Sequence, residues 1–161
     1  MHNKILYICC PMKKEETVDY VIKTSWHAIY RMYNQTAVKN DITTSIGFVL
    51  LNIDSTEGAP ATKIAPLIGL ESRSLTRMLK SMEEKGLIEK KSDPKDKRSV
   101  RIFLTPLGKE KKEGARKFVK AFNYLVRDII PEEKLKIFFE VINLINRIAE
   151  EDFQLLTPLE R

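Results

Sequence analysis

Ser72, Arg73, Ser74, Thr76, Arg77 and Lys80 fall within nine residues and bring hydroxyls, guanidiniums and an ammonium onto one short stretch. Hydroxyls and cations of this kind bond phosphate oxygens, and an arginine fork also matches the O6 and N7 acceptors of guanine. Arg73 and Arg77 are four apart, so on a helix they project from one side about one turn apart. Further on, Lys95, Lys97 and Arg98 crowd a short connector. An arginine on a loop tip carries charge into a narrow minor groove. Asp96, two residues before Arg98, can orient that guanidinium by a charge-assisted bond. The plainer alternatives are an ordinary amphipathic surface helix and a solvated charge run in a turn.

The local sequence says which elements carry these groups. Leu70, Leu75, Met78, Leu79 and Met82 recur at helical spacing and give the stretch one apolar side. Gly86 after Lys85 closes that helix. Leu87 to Lys91 and Ser99 to Leu104 read as strands, the second with Val100, Ile102 and Leu104 alternating with Arg101 and Phe103. Asp93-Pro94-Lys95-Asp96 places proline where a type I turn wants it. The result is a turn at Gly69, a helix, and two strands joined by a charged hairpin.

Leu75-Thr76-Arg77-Met78-Leu79 on the helix, Asp93-Pro94-Lys95-Asp96-Lys97-Arg98 in the connector and Leu104-Thr105-Pro106-Leu107-Gly108 after the strand resemble the MarR-type winged helix-turn-helix repressors. The hairpin with its Asp-x-Arg tip is the specific part. The resemblance covers residues 43–108 best and reaches the flanking helices in length and order. It departs at Glu71, where the family often has a small hydroxyl cap; Ser72 can cap instead. The resemblance implies double-stranded DNA as partner, a homodimer with a helical dimerisation layer, and a crevice between that layer and the reading head. Small aromatic or phenolic effectors, often anionic, occupy such a crevice. Trp26, His27, Tyr30 and Arg31 are its candidates here, with core and dimer packing the plainer reading of Trp26, Tyr30 and Tyr33. Some relatives sense oxidants through a cysteine near the first helix. Cys9 and Cys10 precede that helix, and the sequence points to no fixed basic partner for either thiol.

Composition narrows the remaining classes. The chain has 161 residues and 43% hydrophobic content, enough for one domain with a helical extension. Net charge is +6 and is unevenly spread. Glu71–Arg101 carries ten Lys/Arg against six Asp/Glu, and Thr105–Lys120 six against two, whereas Pro131–Arg161 has four against seven. The positive charge thus sits on the reading section and just after it. Two adjacent cysteines and two histidines, His2 and His27, supply neither a disulfide framework nor metal-ligand spacing. Phosphate-loop, dinucleotide, zinc-protease and nucleophile-elbow motifs are absent, so no catalytic residue, metal or cofactor is assigned. No apolar run reaches membrane length, and a cytoplasmic setting is expected.

Taken in order, residues 1–14 form an unassigned arm. Residues 15–40 and 106–152 form a helical dimerisation region, 41–105 the winged helix-turn-helix, and 153–161 a tail. Val18, Ile22, Trp26, Ile29 and Tyr33 make a stripe too broad for a lone surface helix. Thr43 or Thr44 caps a second helix with Ile46, Val49, Leu50 and Ile53 inward. A third helix turns Ile64, Ala65, Leu67 and Ile68 inward, with Pro66 early enough to cost little. Thr105 caps a long helix that begins at Pro106. Phe118, Phe122, Leu125 and Ile129 line it, and Leu135, Phe138, Phe139, Ile142, Ile145 and Ile148 line the next. The expected fold is mainly α with a small two-stranded β-wing. The expected function is a homodimeric, ligand-responsive repressor on a pseudo-palindromic operator. The rival is a winged-helix module that binds a partner protein without reading DNA.

Overall fold

The computed structural model describes residues 13–69, 71–93 and 99–151, with the side chain of Ser72 also outside the described set. Leu70, the wing-tip residues Lys95, Asp96, Lys97 and Arg98, both cysteines and the 153–161 tail therefore lie outside the described residues. A 3-10 turn at Lys14–Glu16 leads into α1 (Val18–Val38) and α2 (Thr44–Leu51). Then come β1 (Ala59–Pro60), α3 (Ala61–Leu67) and α4 (Ser72–Glu84). The chain continues through β2 (Ile88–Ser92), β3 (Val100–Leu104), α5 (Pro106–Ile129) and α6 (Glu132–Glu150).

Two compact units divide the chain at Ala115 and Arg116. In the first, α2 is central because its sequence is apolar nearly all round; Ile46, Gly47, Val49 and Leu50 are buried. Thr43 caps it, its hydroxyl accepting from Ile46 N–H at 3.2 Å. Its Leu50 is fully buried, as are Ile53, Ile64, Met82 and Ile102 in the same core. Each such side chain contributes about 1.5–3 kcal/mol relative to exposure.

The sheet has three strands in the order β1-β3-β2, one more than the sequence reading expects. The added strand pairs Ala59 with Ile102 and Pro60 with Arg101, antiparallel. Proline has no N–H to donate, which confines it to a sheet edge and hides so short a strand from pattern reading. Gly58 precedes it at φ +67, and a Cβ there would collide with the Ile102 carbonyl. The Asp54–Gly58 loop thus lies flush on β3.

One expectation about burial is corrected. Leu67 is 65% exposed rather than inward, while Ile64 and Ala65 are buried. It is the last residue of α3, and the chain leaves there through Gly69 at φ +63. In α1 no residue is buried, and Val18, Val21, Ile22 and Trp26 are exposed. Within this unit α1 meets α2 through Trp26, Tyr30 and Tyr33, and Ala37 packs on the core.

The second unit holds the end of α5 and all of α6, joined at Pro131, the residue that caps α6. Leu135 is buried, and Phe138 meets Phe139 edge-on at 5.5 Å. Leu125, Ile129, Ile137, Phe138, Val141, Leu144 and Ile148 are exposed. The end of α5 and α6 thus carry many exposed apolar side chains.

Candidate nucleic-acid interface

α4 is held from one side and open on the other. Leu75, Leu79 and Met82 are buried and Met78 partly so. Glu71 is the N-cap residue, extended at φ −66, ψ 147, and its side chain makes no capping bond. Ser72 is therefore the first helical residue rather than the cap. At the other end Gly86 takes φ +65, Gly86 N–H donates to Glu83 C=O and Leu87 N–H to Met82 C=O. These two bonds form a Schellman cap, which stops the helix and turns the chain into β2.

Arg73, Ser74, Thr76, Arg77 and Lys80 are all exposed. At about 100° per residue, Arg73, Arg77 and Lys80 lie roughly opposite Leu75 and Leu79, with Ser74 and Thr76 on the flanks. Five of the six sequence-selected side chains on this helix therefore share an outward surface; Ser72's is outside the described set. Lys80 lies 3.9 Å from Glu84, a solvated pair that holds it only loosely. A convex, polar helix face with two arginines one turn apart has the dimensions and donors to enter a major groove.

The hairpin after α4 closes where Asp93 N–H donates to Ser99 C=O at 2.9 Å. It is registered from Ile88↔Leu104 to Ser92↔Val100. Residues 94–98, which carry the sequence-selected wing cations and link the two strands in the sequence, lie outside the described residues.

A second cluster lies between α1 and α2. Trp26 stacks on Phe48 with ring centroids 5.9 Å apart and 24° between planes, and Tyr33 meets the same Phe48 edge-on at 6.0 Å. Tyr30 Oη and Ser45 Oγ are 3.3 Å apart. Burial pushes the Tyr33 phenol up from its ordinary pKa. His27 and Arg31 are exposed and one turn apart on the neighbouring face of α1. Phe48 and Ser45 escape the sequence reading. The available signal is that Phe48 is the only aromatic residue of α2 and stands outside its Ile46, Val49, Leu50 stripe.

Among the described residues, no group of His, Cys, Asp and Glu could hold a metal ion. No described helix is long and apolar enough to cross a membrane.

Known proteins share this sequence pattern and this fold. The MarR family profile matches residues 42–100, which span α2 to the start of β3. The organic hydroperoxide resistance transcriptional regulator of Bacillus subtilis is 35% identical over 104 residues, 65% of this chain and 71% of that protein. The HTH-type transcriptional regulator TtmR of Methylorubrum extorquens is 29% identical over 99 residues; the match covers 62% of this chain but only 51% of TtmR. Among solved structures, the repressor CouR bound to a 23-mer DNA duplex superposes with a TM-score of 0.70 at 23% identity, over 83% of this chain and 94% of that one. CouR from Rhodococcus jostii RHA1 bound to p-coumaroyl-CoA gives 0.72 at 20% identity, over 85% and 94%. The mainly helical fold with its small antiparallel sheet is that of these winged-helix proteins. By this relationship the chain belongs to the MarR family of transcriptional regulators.

Proposed function

We propose that this chain is a homodimeric repressor that reads a pseudo-palindromic site in double-stranded DNA and responds to a small aromatic or phenolic effector. The observation that carries the reading is the outward face of α4: Arg73, Thr76, Arg77 and Lys80 stand exposed on a helix whose other side is fixed by Leu75, Leu79 and Met82. Such a helix presents base-reading and phosphate-gripping groups on a backbone that is already ordered. Two copies related by a two-fold axis enter successive major grooves about 10 bp apart, and Lys95, Lys97 and Arg98 add flanking contacts, with Asp96 orienting Arg98. The exposed apolar faces of α1, α5 and α6 supply the dimer surface.

The Trp26–Phe48 stack, with Tyr30, His27 and Arg31 nearby, offers an aromatic wall and a cation to a planar anion. A ligand that prefers one spacing of the two heads shifts the dimer away from its DNA-competent state. The protein needs no cofactor for this and acts in the cytoplasm by binding rather than catalysis.

The test is selection of duplexes from a random library by the full-length protein. Enrichment of two inverted half-sites about one helical turn apart is expected. Failure to enrich any sequence contradicts the reading and favours a module that binds a partner protein.

A further inference from the structure

Arg101 belongs to the basic section, yet its charge is turned inward. It sits mid-strand in β3, between Lys91 on one side and Pro60 on the other. Its side chain is 15% exposed, and that of Asp93 is 6%. Nε donates to Asp93 Oδ2 at 2.9 Å, and Nη1 donates to the Glu57 carbonyl at 3.0 Å. One guanidinium thus joins three segments: the end of β2, the middle of β3, and the loop that leads into β1 and α3. Backbone pairing ties the loop only weakly, because β1 contributes two residue pairs and one of them is Pro60. The bond from Arg101 to Glu57 supplies an attachment that the short edge strand lacks. Lysine does not match it, since its donors share one nitrogen whereas Arg101 meets the two acceptors from Nε and Nη1.

We propose that Arg101, held by Asp93, is a positioning residue for DNA reading: it fixes the base of the wing hairpin against the helix-turn-helix without itself touching DNA. The proposal rests on the DNA-reading function argued above. Specific binding needs α4 and the hairpin to meet adjacent grooves in one geometry, and any freedom left at the hairpin base must be frozen when the complex forms. Non-specific binding needs only charge near phosphates. The brace therefore acts on specific affinity and leaves non-specific affinity alone.

Asp93 gives this a test of opposite sign. Neutralising an acid beside a DNA-binding surface raises net positive charge, so simple electrostatics tightens binding to every duplex. Loss of the brace weakens binding to the cognate duplex instead. The experiment compares the full-length wild type, Asp93→Asn and Arg101→Lys on a duplex enriched by selection on the wild type and on a scrambled duplex of the same composition. Each variant is expected to lose about fivefold or more on the enriched duplex, in the range seen for residues that act at a distance from a ligand. Affinity for the scrambled duplex stays level or rises. Arg101→Lys keeps the charge and carries the test if Asp93→Asn melts below the assay temperature.

Unchanged or tighter binding of the variants to the enriched duplex overturns the proposal. So does an equal loss on both duplexes, which would make Arg101 a direct phosphate contact. If the wild type enriches no duplex, the DNA-reading function falls and this proposal with it; an enriched duplex with indifferent variants removes this proposal alone.

Discussion

Thr105 Oγ1 donates to the Gly86 carbonyl at 2.6 Å, and so ties the start of α5 to the turn that ends α4. The same hydroxyl accepts from Gly108 N–H at 3.0 Å, capping α5, while Thr105 N–H donates to Leu87 C=O at 3.1 Å. Gly108 is buried against this turn so closely that a Cβ would collide with the Leu87 carbonyl. Lys112, one turn on, donates to the carbonyl of Ile53. The first turns of α5 are thus fixed to the head that carries the reading helix.

This joint sets the first prediction. Thr105→Val removes a cap and a bond to a backbone carbonyl and should destabilise the protein by about 1–2 kcal/mol. Gly108→Ala forces backbone apart and should cost about 2 kcal/mol or more. Denaturant unfolding of the two variants checks both; a neutral Gly108→Ala would mean that α5 does not seat on Leu87.

Asp54 gives a pH dependence. Its Oδ1 accepts from Glu57 N–H at 2.7 Å and Thr56 N–H at 2.8 Å, and these bonds, with Lys112 adding a smaller attraction, hold its carboxyl below the ordinary value of 3.8. A depressed folded pKa means that the unfolded chain binds the proton first, so stability rises with pH through this range. Wild type should therefore melt above Asp54→Ala at neutral pH. The difference should close as pH falls below about 4 and through the depressed value. A gap that persists in acid would show that the carboxylate charge contributes nothing to the loop.

Oligomeric state follows from the exposed faces. Val18, Ile22 and Trp26 on α1 and Phe138, Phe139 and Val141 on α6 are each at least 40% exposed in one chain. Sedimentation at micromolar concentration should give twice the monomer mass. A stable monomer would remove the two-half-site mechanism.

The wing cations are graded by their chemistry. Arg98→Ala should weaken binding to an enriched duplex by about 1–3 kcal/mol with the fold intact. Lys95→Ala and Lys97→Ala should cost less and mainly flatten the salt dependence. Wild-type affinity for Arg98→Ala at physiological salt would mean that the hairpin tip does not touch DNA.

Local chemistry makes much of this fold legible in the sequence. Gly86, Thr43 and Thr105 act through bonds to residues a few positions away or at an element end, so residue type alone announces them. The apolar spacing of α2 and α4 likewise names Ile46, Val49, Leu75 and Leu79 as core. Contacts between distant segments were not readable. Pro60 carries no signal for pairing with Arg101, and nothing beside Trp26 points to Phe48. The Asp93–Arg101 pair appears only once the hairpin register is known. Leu67 and α1 show the remaining gap: helical period tells which residues share a face, not whether the chain itself covers that face. At Glu71 and Ser72 the backbone decided the cap, because the glutamate takes the extended conformation and its side chain does not bond the helix.

DNA reading by α4 is tested most directly at Arg73 and Arg77. Both are exposed, and Leu75, Met78 and Leu79 hold the helix, so either arginine can be shortened without opening a cavity. The measurement is affinity of Arg73→Ala and Arg77→Ala for an enriched and a scrambled duplex across a salt series. Arg77→Ala should lose about 1–3 kcal/mol on the enriched duplex and relax preference at one position per half-site, as for a bidentate guanine contact. Arg73→Ala should weaken both duplexes alike and lower the salt slope by about one, as for a phosphate contact. Wild-type affinity of both variants for both duplexes would contradict the claim and leave α4 as a surface helix.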